Sequence, residues 1–507
     1  MHLRTRPRLT YCGLTIIMSN PSRFDKLRLL SANGGAMFND FCLRPELNLM
    51  QCDVRVMEDE SPLLDGTKCI LLLGEAAMWK YGLNVSLNTL NELRGSVLTT
   101  KWDIPAIATY LPQEATDQIN HEATHNPLCK SRQAELEAKE DEDEGNVKAH
   151  GNTKRINYSF WMRRDVWKCK QILQGKFQQR HSDSPVYHIY PSADEVIKLL
   201  TNTKNEILDF DMETDIEALN LQCFAFSFGN SHDVYCVPIL DHTYKTAYSV
   251  CHKILRALAI ACRDNTVVAH NGSCFDFRVL ALRYRIPVYK CYDTLIAMHR
   301  CFPDVEKSLG HCVSYWTWEP FHKDQDSHGY RTHEQMMDRM RYCAKDVWTM
   351  KLVRQAITDY AKTIPGLTKS IDDAMRCIRP YLTSTIIGVR VDEQKVNDIV
   401  NENDRLMVQY NRMAEILIGK DSLTLMKNGS KSMFAGSNKQ CARYFHELMG
   451  YPVQGKTDAG APALGKHSLY KLALKYTNPV IQLVCIYRST QKETSRLRFT
   501  PWEGKLV

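Results

Sequence analysis

Ile207-Leu208-Asp209-Phe210-Asp211-Met212-Glu213-Thr214 alternates apolar and acidic residues with the two-residue period of a β-strand. The alternation turns Asp209, Asp211 and Glu213 to one face and Leu208, Phe210 and Met212 to the other. Three carboxylates in a row repel one another and resist desolvation, so the stretch is either a solvated edge strand or a strand built around cations. Hard divalent ions such as Mg²⁺ and Mn²⁺ prefer carboxylate oxygens to thiols or imidazoles. A pair of them about 4 Å apart serves the hydrolysis of a phosphodiester.

A cage for such ions needs acids from distant segments, and two further stretches offer them. Val267-Val268-Ala269-His270-Asn271-Gly272-Ser273-Cys274-Phe275-Asp276 reads as a buried strand, a turn, and an aspartate opening a helix. Tyr342-Cys343-Ala344-Lys345-Asp346 sets a tyrosine and an aspartate four apart on one helix face. Taken singly, the first is an ordinary helix cap and the second an ordinary surface pair.

Together, Asp-x-Glu-Thr, then Asn-x₃-Phe-Asp, then Tyr-x₃-Asp, at intervals of about 60 and 70 residues, resemble the three motifs of the proofreading 3′→5′ exonuclease domain of family A DNA polymerases. That family comprises DNA polymerase I and its phage relatives. Asp293-Thr294-Leu295-Ile296-Ala297, Lys307-Ser308-Leu309 and Glu319-Pro320-Phe321 are similar to the stretch between the second and third motifs. The resemblance implies an RNase H-like domain over residues 186–362 with a mixed sheet. It implies that Asp211, Glu213, Asp276 and Asp346 hold two divalent metal ions, Mg²⁺ or Mn²⁺, and that Tyr342 orients the attacking water. Thr214, Asn271 and Phe275 are then expected to contact the terminal nucleotides, Phe275 by wedging or stacking. Asp209 lies outside the motif and is the second choice as a ligand.

The neighbouring pattern agrees with an α/β domain. Ser192 is expected to cap a helix through Leu200, strands are expected at 206–213, 222–229, 233–238, 266–269 and 287–292, and helices at 245–262, 275–284 and 333–362. Beyond it, residues 363–507 read as helical, with helices at 369–385, 392–418, 437–449, 466–476 and 478–495 and longer loops at 419–436 and 450–465. Gly450-Tyr451-Pro452-Val453-Gln454-Gly455-Lys456-Thr457 matches the phosphate-loop pattern by letters. Its context rejects nucleotide binding, since a helix precedes it where a buried strand is required and Pro452 removes a backbone donor. Instead Gly388-Val389-Arg390-Val391-Asp392, Phe434 through Gln440, the Gly455-Lys456-Thr457 turn, Tyr487-Arg488 and Phe499-Thr500-Pro501-Trp502 resemble the passage from exonuclease into thumb and the start of the palm in the same family. No palm carboxylate pair or fingers helix is recognisable, so this chain is not expected to polymerise alone.

Residues 1–130 form another α/β block, with Lys68 to Gly74 as a buried strand and Glu75 to Lys80 as a helix start. Leu71 to Ala77, Leu93-Arg94-Gly95-Ser96 and Ile104 to Pro112 resemble part of a uracil-DNA-glycosylase-like domain. Leu111 stands where that family has a histidine, which implies DNA binding or docking without base excision. A helix near 158–175 is expected to return to this block after a charged linker or insertion at 131–157, which carries the acidic run Glu140 to Glu144. The fold class is thus multidomain α/β followed by a mostly helical segment.

Composition is that of a soluble enzyme or binding protein. Of 507 residues, 44% are hydrophobic and 24% charged, which excludes disordered, collagen-like and membrane classes. The net charge of +7 is compatible with a phosphate-bearing partner without demanding one. The 18 cysteines include no CxxC pair, and no secretory signal is recognisable, which points to reduced thiols in a cytoplasm. The apolar stretch Leu9 to Met18 reads as a buried strand or a misassigned start. Cys42, Cys52, Cys69 and Cys129 lack iron–sulfur spacing and read as buried apolar residues.

The expected partners are DNA, as a single-stranded 3′ end or a primer-template, and a separate palm-and-fingers chain if this is one half of a split polymerase. No membrane partner is expected. A stand-alone exoribonuclease with the same acidic motifs and a non-catalytic replisome scaffold are the competing readings.

Overall fold

The computed structural model describes residues 4–5, 7, 9–19, 30, 33–43, 46–83, 85, 89–115, 158–177, 184–215, 219–320, 322–323, 329–388, 390–427, 432–455 and 461–498. The acidic run at 140–144, Cys129, Phe321, Val389, Lys456, Thr457 and the 499–502 stretch lie outside them. The described residues form two compact units, one up to residue 388 and one from 390 to 498.

The first unit holds two six-stranded mixed sheets. In the amino-terminal sheet, β2 (Leu14–Met18), β3 (Asp53–Val56), β4 (Cys69–Leu73) and β6 (Pro105–Thr109) run parallel in the order β3-β2-β4-β6. Short antiparallel edges, β1 (Arg4–Thr5) and β5 (Val97–Thr99), close its two sides. β2 and β4 are fully buried runs of Leu, Ile, Thr, Cys and Met, as strands covered on both faces must be. The Leu9 to Met18 stretch therefore contains a core strand. Helix α4 (Tyr158–Leu173) packs on β4 and β6, after α1 (Asn33–Leu43), α2 (Glu75–Tyr81) and α3 (Leu90–Leu93) in chain order.

The second sheet runs β12 (Lys290–Asp293), β11 (Thr266–Ala269), β8 (Ile207–Thr214), β9 (Leu221–Phe228), β10 (Asp233–Pro238), β7 (Val186–Ile189). β8 is antiparallel to β9 and parallel to β11. On one face lie α5 (Ala193–Asn202) and α6 (Cys251–Asp264), packed together over a core that includes Leu208, Phe210, Phe224 and Phe226. Ser192 caps α5 by accepting the Glu195 N–H. On the other face α10 (His333–Thr363) crosses β8, β9 and β10. Helix α7 (Asp276–Tyr284) follows β11, α8 (Thr294–Cys301) and α9 (Leu309–Trp316) pack on α10, and α11 (Leu367–Ile387) packs on α8, α10, α7 and β12. The sequence pattern does not reveal α8, α9 or β7, since elements of eight residues or fewer carry too little periodicity.

The two sheets of this unit are tied by buried charge. Arg94 reaches Asp165 of α4 at 3.1 Å and donates to the Ser314 hydroxyl of α9, while Thr109 donates to Asp165 at 2.7 Å. The Lys168 ammonium donates to the carbonyls of Gly95, Ser314 and Thr317. Arg94, Asp165 and Lys168 are all essentially inaccessible to solvent. Each charge is hydrogen-bonded, which is the condition for keeping it in the interior.

The second unit is helical: α12 (Glu393–Ile418), α13 (Lys420–Lys427), α14 (Asn438–Ala442) continuing as a π-helical turn over Arg443–Leu448, α15 (Lys466–Lys475) and α16 (Pro479–Leu497). α12 and α16 pack along each other around Ala414, Phe434, Phe445, Leu472, Ile481 and Val484. Helix α13 lies inside the expected 419–436 loop. Residues 450–455 follow the π turn without a strand, so the described part of the phosphate-loop pattern lacks the strand that chemistry requires.

Candidate active site

β8 is paired on both sides, and this fixes its register: Asp209 opposite Ser227, Asp211 opposite Ala225, Glu213 opposite Cys223. Its apolar side chains fill the α5–α6 side, so the acids are turned toward α10. There α10 meets each acid in turn. Arg354 grips Asp209 through two hydrogen bonds of 2.8 and 2.9 Å, the Cys343 thiol lies 3.5 Å from Asp211 Oδ2, and Arg339 donates to Glu213 Oε2 at 2.8 Å. Asp346, one turn from Cys343 on the same helix, brings a carboxylate oxygen into a group with those of Asp211 and Glu213, all within 4.8 Å of one another.

Asp276 is positioned by a turn that the Asp293 carboxylate organises. It accepts the backbone N–H of Asn271, Ser273 and Leu295, each at 3.0 Å, and the Ser273 hydroxyl at 2.8 Å. Asn271 takes a left-handed φ of +63° in this turn. Gly272 leaves no room for a side chain, since a Cβ there would stand 2.5 Å from that of Ala269. The chain then enters α7 with Asp276 as its first residue. Asp276 lies outside the 4.8 Å group, yet near enough that its charge raises the pKa of Asp211. Its Oδ1 is buried without a hydrogen-bond partner.

The electrostatics are those of an anionic site. Burial, followed by the charges of Asp346, Asp276 and Glu213, holds the Asp211 carboxyl well above the ordinary range. Burial pushes Asp276 up to about 7. Asp346 goes the other way: burial raises it, but Lys323 and His322 outweigh burial and bring it below its ordinary value. His322 Nε2 lies 2.7 Å from Asp346 Oδ1, and the Lys323 ammonium donates both to Asp346 and, at 2.9 Å, to the Tyr342 hydroxyl. Burial also raises Tyr342, with the Asp346 charge adding to it. Clustered carboxylates that repel one another, and a buried carboxylate oxygen without a donor, suit hard divalent cations. The residues present fit such ions.

Of the remaining expected residues, Thr214 is buried at the end of β8, beyond a register shift, while Asn271 and Phe275 are exposed on the turn before α7. Phe275 is 38% exposed, unusual for a phenyl ring. Asp209, the second choice as ligand, has both oxygens engaged by Arg354 and does not join the group. Sequence reasoning missed His322, Lys323, Arg339, Arg354 and the role of Asp293. A helical stripe could have found two of them: 339, 343, 346, 350 and 354 recur at three and four residues along one face of α10. His322 and Lys323 lie outside any periodic element and carried no such signal.

Residues 189–361 match the family model described as 3′-5′ exonuclease, of the DNA polymerase A type. This segment is accordingly a 3′-5′ exonuclease domain of the RNase H-like type. No curated protein matches the sequence. Among solved structures, the chain is similar to the POL domain of Pol1 from M. smegmatis in complex with DNA primer-template and dNTP. That likeness has 14% identity and a TM-score of 0.43, over 61% of this chain and 49% of the other. The chain thus spans about half the length of that POL-domain chain. It is also similar to NrnC of Brucella melitensis, at 18% identity and a TM-score of 0.32, over 40% of this chain and 94% of that one. No described helix is long and apolar enough to cross a membrane.

Proposed function

We propose that residues 186–362 hydrolyse DNA phosphodiesters from the 3′ end, as the proofreading portion of a family A DNA polymerase. The observation that carries this reading is the convergence of Asp211, Glu213 and Asp346 within 4.8 Å, beside the unpartnered buried oxygen of Asp276. These four carboxylates would hold two divalent cations, Mg²⁺ or Mn²⁺. When bound, such ions lower the pKa of water and neutralise charge on the phosphoryl group.

The chain's own residues do the positioning. Asp293 fixes the turn that carries Asn271 and Phe275, and these, with Thr214, meet the last nucleotides of a single strand. An exposed phenyl ring stacks on any base, which suits an enzyme that must remove all four. The Tyr342 hydroxyl, held by Lys323 at 2.9 Å, orients the attacking water. Lys323 also sets a positive charge beside Asp346, where it attracts the phosphate backbone.

The amino-terminal block, residues 1–130, is read as a uracil-DNA-glycosylase-like DNA-binding or docking domain without excision activity. In support, Leu111 packs close to Gly74, at the end of β4, and offers no group to stabilise a departing base. Residues 363–507 are read as a partial polymerase thumb, the whole acting in the cytoplasm of the cell where replication occurs.

The test is digestion of 3′-labelled single-stranded DNA with Mg²⁺, set beside an RNA strand of the same sequence. Asp211→Ala with Glu213→Ala should abolish release of 3′ nucleotides while the circular dichroism spectrum is retained. Undiminished digestion by the double variant refutes the assignment, and preference for RNA moves it to the ribonucleases.

A further inference from the structure

Three cysteines that take no part in this chemistry meet beneath the acidic group. Cys223 of β9 pairs with Pro238, and Cys236 of β10 pairs with Ala225, so the two lie diagonally on neighbouring antiparallel strands and face the same side. Cys343 descends on them from α10, and the three sulfur atoms lie within 4.8 Å of one another. All three residues are fully buried. The Cys343 sulfur is also 3.5 Å from Asp211 Oδ2, so the thiol group and the carboxylate group share a wall.

Buried cysteines are commonly small apolar packing, and this cluster does sit among Val234, Met336, Met340, Ala344 and Val347. Convergence sets these three apart from that background. Thiolates about 2.3 Å from a tetrahedral zinc ion stand about 3.8 Å from one another, within the 4.8 Å that bounds the present sulfur separations. A fourth, oxygen donor is already at hand in Asp211. We propose that Cys223, Cys236 and Cys343, completed by Asp211, form a site for one thiophilic cation of the Zn²⁺ type.

Ligand chemistry then sorts the cations between two adjoining sites. Soft thiolates select zinc, whereas carboxylates alone take Mg²⁺ or Mn²⁺. Half-buried Asp211 touches the Cys343 thiol, so the two sites adjoin at that carboxylate. Thiolates are the metal-binding form, so the cation displaces the thiol protons as the metal–sulfur bonds form. One consequence rests on the proposed function: zinc drawing on Asp211 takes an oxygen from the carboxylate group and opposes Mg²⁺-dependent hydrolysis.

Cadmium is the probe, because cadmium–thiolate bonds absorb in the ultraviolet where Mg²⁺ and carboxylates do not. The full chain, reduced and in excess Mg²⁺, is titrated with Cd²⁺ beside a Cys223→Ala/Cys236→Ala variant. The wild type should bind one more equivalent with a thiolate band that the variant lacks, and Asp211→Ala should weaken that band's affinity about tenfold or more. Equal stoichiometry and absorption in wild type and double variant overturn the proposal. Circular dichroism checks the fold, and if the double variant does not fold, Cys236→Ala alone gives the same comparison. Absorption reads metal binding without hydrolysis, so a failure of the nuclease assignment leaves this result standing, and the reverse.

Discussion

Arg354 on α10 and Asp209 on β8 form a two-pronged ion pair, with hydrogen bonds of 2.8 and 2.9 Å and both residues buried. It separates the first acid of the strand from the two that follow. Removing one partner leaves a buried charge uncompensated, which typically costs about 3–5 kcal/mol. Arg354→Ala should therefore lower the denaturant midpoint strongly, while Asp209→Asn with Arg354→Met should recover much of the loss. Metal affinity at the neighbouring acids should stay within a few-fold in the double variant, as measured by Mn²⁺ titration.

Asp211 behaves in the opposite way. Its carboxyl is raised by burial and by three neighbouring carboxylates, so ionising it opposes folding of the metal-free chain. Asp211→Asn should raise metal-free stability at neutral pH, because the neutral side chain removes the cost of an acid held away from its ordinary ionisation. The same substitution should remove most of the stabilisation conferred by Mn²⁺. Thermal unfolding with chelator and with Mn²⁺ measures both.

Asp276 supplies a pH signature. Its pKa is pushed up to about 7 in the folded chain, above the ordinary carboxylate value of about 3.9. A carboxylate raised in this way binds its proton more tightly when folded, so its contribution to stability falls as pH rises from about 4 to about 7. In chelator, the wild type should lose stability over that window relative to Asp276→Asn. Added Mg²⁺ should restore more stability at pH 8 than at pH 5. Coincident pH curves for wild type and variant would count against the assignment.

Gly272 allows no side chain. The added methyl of Gly272→Ala would lie 2.5 Å from the Ala269 Cβ and 3.0 Å from the Phe277 ring, so the turn must shift. A cost of about 1–3 kcal/mol is expected for such overpacking. Because the turn leads directly into Asp276, Mn²⁺ affinity should fall along with the melting temperature.

Much of the site was legible because it is written in short-range pattern. Period-two alternation sent Asp211 and Glu213 to one face of β8, and the four-residue spacing of Tyr342 and Asp346 gave their common helix face. Strand periodicity alone puts Asp209 and Asp211 on the same face and only the motif beginning at Asp211 ranks them; the physical cause, the Arg354 partner 145 residues away, was not legible. Lys323 and His322 were invisible for the same reason. The thiol group escaped because Cys223, Cys236 and Cys343 share no spacing motif and meet only when two strands and a helix stack. Helices α8 and α9 were missed because eight residues make little more than two turns.

Helix α10 carries Arg339, Tyr342, Cys343, Asp346 and Arg354 on one continuous rod. Inserting or deleting a single residue between the first and last of these would rotate one end against the other by about 100° and displace it by about 1.5 Å. No local adjustment could then satisfy Glu213 and Asp209 together. Length changes in this helix are tolerable only outside that interval, toward His333 or Thr363, and a library of single-residue insertions scanned along α10 should show a sharply bounded intolerant window between residues 339 and 354.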